Sequence, residues 1–262
     1  MLIIPLIQFR SISYFLQFLN TILMIIKKIS ILACIIISYN TVSSQTTTGA
    51  SIQKDFGMIS NLGKAQSGFE SFQTYSAKDV NGSQFLPDTW SNGSVTTNTN
   101  ITISSGYLFL YDKVRQTLYI RPKDSNMIVV AEKSEINFFT LNATETYSFA
   151  KASIYDSSAS ASFFQVLISG NYTLLKSINT SFEKANPNDL ERAHSGDHRD
   201  AFIDKETYYV YHNGKLQKIK LTENSIRRIF TDNSSALNNY LNLHQADEIN
   251  ETFLENLVSS LN

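Results

Sequence analysis

The spacing of hydrophobic positions changes along this chain. Between residues 107 and 141, four short runs alternate with polar turns: YLFLYD (107–112), TLYIRP (117–122), MIVVAE (127–132) and EINFFTL (135–141). In TLYIRP, Leu118 and Ile120 fall on one face and Tyr119 and Arg121 on the other; in EINFFTL, Ile136 and Phe138 share a face. Successive side chains of a strand point to opposite sides, so a period of two with one apolar face predicts half-buried antiparallel strands in a meander. Two hairpins follow. SFFQVLIS (162–169) and YTLLKS (172–177) flank Gly170-Asn171, which reads as a type II′ turn. TYYVYH (207–212) and KLQKIK (215–220) flank Asn213-Gly214, the type I′ signal. The polar stretch between them, FEKANPNDLERAHSGDHRDAF (182–202), predicts a long loop.

After residue 220 the period lengthens. Thr222 is expected to cap a short helix carrying Ile226, Ile229 and Phe230, and Leu237, Tyr240 and Leu241 repeat that spacing. Ile249, Phe253, Leu257 and Leu261 recur every fourth residue, with Asp247 and Glu248 placed for the positive N-terminal end of a helix. Such stripes normally pack against a core. The predicted fold is mainly β (α+β): an antiparallel curved sheet or open barrel built as a meander over 72–220, followed by two or three short C-terminal helices over 221–262. Residues 45–71, rich in Thr, Ser and Gly, read as a poorly ordered lead-in.

The first 44 residues differ in kind. From Met24 they form an export signal: Lys27 and Lys28, an apolar run from Ile29 to Tyr39, and small residues Val42 and Ser44 before Gln45. Cleavage is expected between Ser44 and Gln45, with Met24 as the working start. The apolar run is shorter than the roughly 20 residues that span a bilayer, so membrane contact is expected only through the export signal. The chain is then periplasmic or extracellular, or held at the outer membrane. Cys34 is the sole cysteine and lies in this leader, so the body has no disulfide, thiolate nucleophile or Cys-based metal site. The leader carries Arg10, Lys27 and Lys28 and no acid, so the body is more acidic than the whole chain, whose formal net charge is −1. That argues against a nucleic-acid surface, which needs clustered Lys and Arg.

Candidate chemistry is sparse. AHSGDHRD (193–200) places His194 and His198 at i, i+4, a zinc-ligand spacing on a helix. Gly196 between them and Pro187 upstream argue for a loop, where that spacing loses its meaning. The H-E-x-x-H glutamate is missing, and a third ligand would have to be Asp197, Asp200 or the distant His212. Ser195, His198 and Asp200 sit too close in sequence for a triad, whose members come from separate elements. Trp90, Tyr107 and Phe138 are the candidate lining of a small-ligand site inside a curved sheet, although a lone Trp more often fills a core. There is no phosphate-binding loop, dinucleotide fingerprint or EF-hand, and no cofactor is expected.

GSQFLPDTWSNGSV (82–95), YLFLYDKVRQTLYIRP, FFQVLISGNYTLLKS, ETYYVYHNGKLQKIK and the tail ending LENLVSSLN together form an ordered pattern. In this pattern the chain resembles a group of exported proteins of Bacteroidetes-type bacteria over roughly 82–262. The resemblance implies a secreted or periplasmic β domain with a helical C-terminus, and carries over no activity, cofactor or catalytic residue. The leading expectation is an exported, non-catalytic binding or envelope-assembly protein with an envelope protein partner. A small-ligand binder is the alternative, and a metal-dependent enzyme using the 193–200 loop comes third.

Overall fold

The structure, a computed structural model, describes residues 59, 62–67, 80–159, 162–185 and 199–262. All of these fall in the compact unit Gly49–Asn262. The expected cleavage site at Ser44 and Gln45, and most of AHSGDHRD with His194 and His198, lie outside the described residues.

The described residues form a large open sheet and three short helices. The strands are β1 (Gly63–Ser67), β2 (Val80–Asn81), β3 (Phe85–Thr97), β4 (Thr102–Ile103), β5 (Tyr107–Asp112), β6 (Thr117–Pro122), β7 (Met127–Ala131), β8 (Ile136–Asn142), β9 (Thr146–Lys151), β10 (Phe163–Ile168), β11 (Thr173–Glu183), β12 (Asp200–His212) and β13 (Lys215–Ile219). Their order is β1-β7-β6-β5-β3-β8-β9-β10-β11-β12-β13, with β4 beside β3 and β2 beside β12. The pairings are antiparallel except β2 with β12. The mainly β class and the helical tail are therefore as expected, and the sheet does not close; of the four-strand meander only β5-β6-β7 holds, because β8 pairs with β3 and β9 while β1 takes the free edge of β7.

β3 is the pivot. Its first half pairs with β5 through Phe85, Leu86 and Ser91, and its second half pairs with β8 from Asn92 to Thr97. The β5 ladder shifts register between Leu86 and Ser91, where Pro87 lacks an N–H to donate. β5 and β6 are buried on both faces rather than half-buried. Phe109, Tyr111, Leu118 and Ile120 enter the large core, while Leu110 and Tyr119 join Ile128, Phe85, Trp90 and Val130 in a smaller cluster on the other side. The large core is aromatic: Phe139 stacks on Phe149 at 4.6 Å, and Tyr111 and Phe163 pack around that pair.

Two boundaries and one turn in the β region differ from the sequence reading. The lead-in contributes β1, paired with β7, and Ile59 and Leu62 are buried in the large core. GKAQS shows no alternation because an edge strand can be held by backbone bonds alone. The expected loop 182–202 is in part a ladder, with Phe182 opposite Phe202 and Glu183 opposite Ala201. Asp200, the last residue of AHSGDHRD, opens β12, and its carboxylate accepts from the Ala185 amide at 2.8 Å. Gly170 does not have the positive φ of a type II′ turn. It gives room instead, since a Cβ there would sit 2.4 Å from the Asn262 side chain, which makes hydrogen bonds with both the N–H and the C=O of Tyr172. The Asn213-Gly214 turn is as expected, with φ of 49° and 74°.

The helices are α1 (Glu223–Ile229), α2 (Ser234–Leu243) and α3 (Glu251–Leu261). Ile226, Phe230, Leu237, Phe253 and Leu257 pack on Tyr172, Leu174, Val210 and Ile219. α3 starts later than expected. Asn250 accepts from the Phe253 amide as its cap, and Asp247 and Glu248 precede the helix. Thr222 makes no side-chain cap; its carbonyl accepts from Ser225 and Ile226.

Candidate functional site

Cross-strand registry lines up one row of side chains: Val95, Phe139, Phe149, Gln165, Lys176, Tyr208 and Ile219. Its first members belong to the aromatic core, and its last lies under the helices. Between them is a polar interval. Lys176 is buried, and its ammonium lies 2.8 Å from Glu251 of α3 and 3.5 Å from Glu206 of β12. The Tyr208 hydroxyl is 2.8 Å from Glu206 and 2.7 Å from Glu251. Burial, and then its bond to Glu251, pushes the Tyr208 phenol far above its ordinary range. Lys176, Tyr208, Glu206 and Glu251 bond to one another and tie α3 to the sheet, while Gln165 Oε1 in the same row has no hydrogen-bond partner.

Glu255, one turn beyond Glu251, has its carboxyl raised, first by burial and then by Glu251, with Lys176 opposing. A raised carboxyl stabilises the fold fully below the unfolded value, and that contribution is lost as pH rises through the folded value. Glu255→Gln is therefore expected to raise Tm at pH 7.5, by on the order of 1 °C. The gain should vanish near pH 4; a gain that persists in acid would assign it to another cause.

The three residues expected to line a ligand site are not brought together. Tyr107 is in the large core, Phe138 is exposed, and Trp90 is half-buried in the small cluster on the other face of β5 and β6. Trp90 does have a neighbour that sequence reasoning passed over. The Arg121 guanidinium carbon lies 5.0 Å from the centre of the indole. Trp90 Nε1 and Arg121 Nε are both sealed from solvent, and neither has a hydrogen-bond partner. Arg121 also pairs with no carboxylate among the described residues. An unsatisfied buried donor costs about 1–3 kcal/mol, and more when it is charged. Phe85, Leu110, Tyr119 and Val130 supply the apolar surround. The clue in the sequence was Arg121 itself, a lone cation on the second face of an otherwise apolar strand.

Two histidines are described. His212 was a candidate third metal ligand, but both its ring nitrogens are engaged. Nδ1 donates to the Asn171 carbonyl at 2.9 Å, and Nε2 accepts from the Asn213 amide at 2.9 Å. His244 bonds to Asp247 at 2.7 Å and stacks on Tyr240, between two open clefts of about 240 and 430 Å³ in the helical tail. Among the described residues, no group of three His, Cys, Asp or Glu is placed to hold a metal ion. No helix there is long and apolar enough to cross a membrane. Comparison with protein-family models, curated proteins and solved structures finds no match.

Proposed function

We propose that this chain is an exported, non-catalytic binding protein that acts at the bacterial envelope, in the periplasm or at the outer membrane. The observation that carries this reading is the Trp90–Arg121 pair, whose buried Nε1 and Nε donors have no hydrogen-bond partner. The export signal before Gln45 and the likeness to exported β proteins support the location. Trp90 keeps its place in the small-ligand reading, with Arg121 replacing Tyr107 and Phe138 beside it.

The test is a tagged pull-down of the full chain from crosslinked native cells, with the mature N-terminus mapped by mass spectrometry in the same run. Recovery of a specific envelope partner or bound small molecule, with a start at Gln45, is the expected result. A clean monomer carrying nothing, or stoichiometric metal lost in a His194→Ala/His198→Ala variant, would overturn it.

A further inference from the structure

We propose that the outer face of β10 to β13, the side of the sheet turned away from the helices, docks on an anionic lipid surface. The inference rests on the envelope location proposed above and not on the Trp90–Arg121 pair. The sequence reading confined membrane contact to the export signal; this face adds a contact made by the folded domain.

The pleat sorts the charges of these strands by face. On β12, Asp204 and Glu206 point inward, where Lys113 and Lys176 pair with them. Lys205 between them points outward, is exposed, and its ammonium has no partner among the described residues. Lys218 of β13 stands opposite Tyr209 on the same outward face, and Lys220, two residues on, continues the alternation. Both are exposed, and their ammonium groups are likewise unpaired among the described residues. Among the described residues, the only carboxylate that β10 to β13 turn to this face is Glu183, at the far end of β11. Asp156 lies in the turn next to Tyr155, where the Ser158 amide and hydroxyl both donate to it. The face is therefore basic on a chain whose formal net charge is −1.

Beside the lysines lies an aromatic and apolar ground. Registry aligns Val166, Leu175, Tyr209 and Lys218 in one row and sets Tyr211 opposite Leu216. Tyr155 meets Tyr211 edge to face at 5.1 Å, and Tyr209 packs on Phe164 at 5.2 Å. Val166, Tyr209, Tyr211 and Leu216 are only half-buried, and the helices pack on the opposite face. Charge chooses the occupant. A second copy would set lysine against lysine across two like faces, which is repulsive. A protein surface is a poorer match, since lysine is depleted at protein interfaces. Tyrosine rings with lysine ammonium groups suit an anionic bilayer surface, where the rings lie at headgroup level and the ammonium groups meet the phosphates.

Protein purified from its native cells would be sedimented with vesicles of phosphatidylcholine, alone or mixed equally with phosphatidylglycerol. The expected result is binding to the mixed vesicles that weakens steeply with salt, and little binding to phosphatidylcholine. Each lysine near such a surface contributes about fivefold, so Lys205→Gln/Lys218→Gln/Lys220→Gln should bind about a hundredfold more weakly with Tm near wild type. Lys123→Gln/Lys133→Gln/Arg228→Gln removes the same charge on other elements and should lose less than about threefold. A polarity-sensitive dye on Asn179→Cys, which faces outward opposite Lys205, should shift to the blue on mixed vesicles, and one on Ser259→Cys of α3 should not, both in a Cys34→Ser background. No binding to mixed vesicles, equal binding to both kinds, equal losses in the two triple variants, or a shift at Ser259 rather than Asn179 would each overturn the proposal. If vesicles fail and an envelope protein crosslinked to wild type is lost in the first triple variant, the face belongs to a protein and the envelope reading stands.

Discussion

Gly93→Ala is expected to destabilise the protein by about 3–4 kcal/mol, more than most single methyl additions. A Cβ at this position would lie 2.0 Å from the Thr140 carbonyl oxygen and 3.2 Å from the Phe109 ring. The first obstacle is backbone of β8, and the second is a fully buried core side chain, so neither can swing aside. Gly93 also stands where β3 leaves β5 and joins β8, with Ser91 opposite Phe109 and Asn92 opposite Asn142. Pushing β8 away there would open the seam between the two halves of the sheet. Thermal melts should show Tm falling by on the order of 10 °C, given roughly 2–4 °C per kcal/mol for a chain of this size. Gly106→Ala is the control. Its φ of 82° makes an alanine strained, but nothing lies within 4 Å of the new Cβ, so its cost should stay near 1 kcal/mol. Equal losses at the two positions would mean that the close approach at Gly93 does not matter.

Gly93 also shows which features were readable in the sequence. Within WSNGSV nothing distinguishes a glycine in a turn from one forced by a crossing strand, because the reason lies at Thr140, far along the chain. Strands whose reason was local were legible. YLFLYD and TLYIRP coincide with β5 and β6, and Asn213-Gly214 adopts the turn its residues favour. Strands held by backbone pairing were not. β1 has no alternation, and the outer part of the β11–β12 ribbon reads SINTSFE against DAFIDKET, mostly polar with only Ile178, Phe182, Phe202 and Ile203 as large apolar residues. Helix identity followed from the four-residue spacing, whereas the start of α3 turned on whether Asn250 or an upstream acid supplies the cap.

The candidate site was legible only in halves. Trp90 stood out by being unique, and the face shared by Tyr119 and Arg121 followed from the period of two. What could not be read was that β3 brings Trp90 over β6, since that depends on the register shift between Leu86 and Ser91. Tyr107 and Phe138 were grouped with Trp90 because all three are aromatic. The pleat puts Tyr107 into the large core and leaves Phe138 exposed.

A second large effect is expected at Asp112, and it distinguishes a charge requirement from a packing one. Asp112 is fully buried at the end of β5. One carboxylate oxygen accepts from Gln84 Nε2 at 2.8 Å, Arg115 Nη1 at 2.9 Å and Tyr119 Oη at 3.3 Å. The other accepts from the Arg115 amide at 2.9 Å. Each of these groups donates to Asp112, and the two Arg115 N–H groups cannot accept in return. Burial, and then the charge of Asp112, pushes the Tyr119 phenol up to about 12. Asp112→Ala should lose about 3 kcal/mol, toward the lower end for a broken buried pair because Arg115 can rehydrate at the surface. Asp112→Asn preserves shape and volume, yet in either amide orientation its NH2 faces an Arg115 N–H that cannot accept, the guanidinium in one and the backbone amide in the other, although Tyr119 Oη and a turned-over Gln84 amide can accept in the first. It is therefore expected to cost nearly as much as alanine. Urea denaturation of the two variants decides the matter. An asparagine variant close to wild type would show that volume at the head of the 113–116 turn matters more than the carboxylate; parallel losses would show that the ionised acceptor organises Gln84, Arg115 and Tyr119 around it.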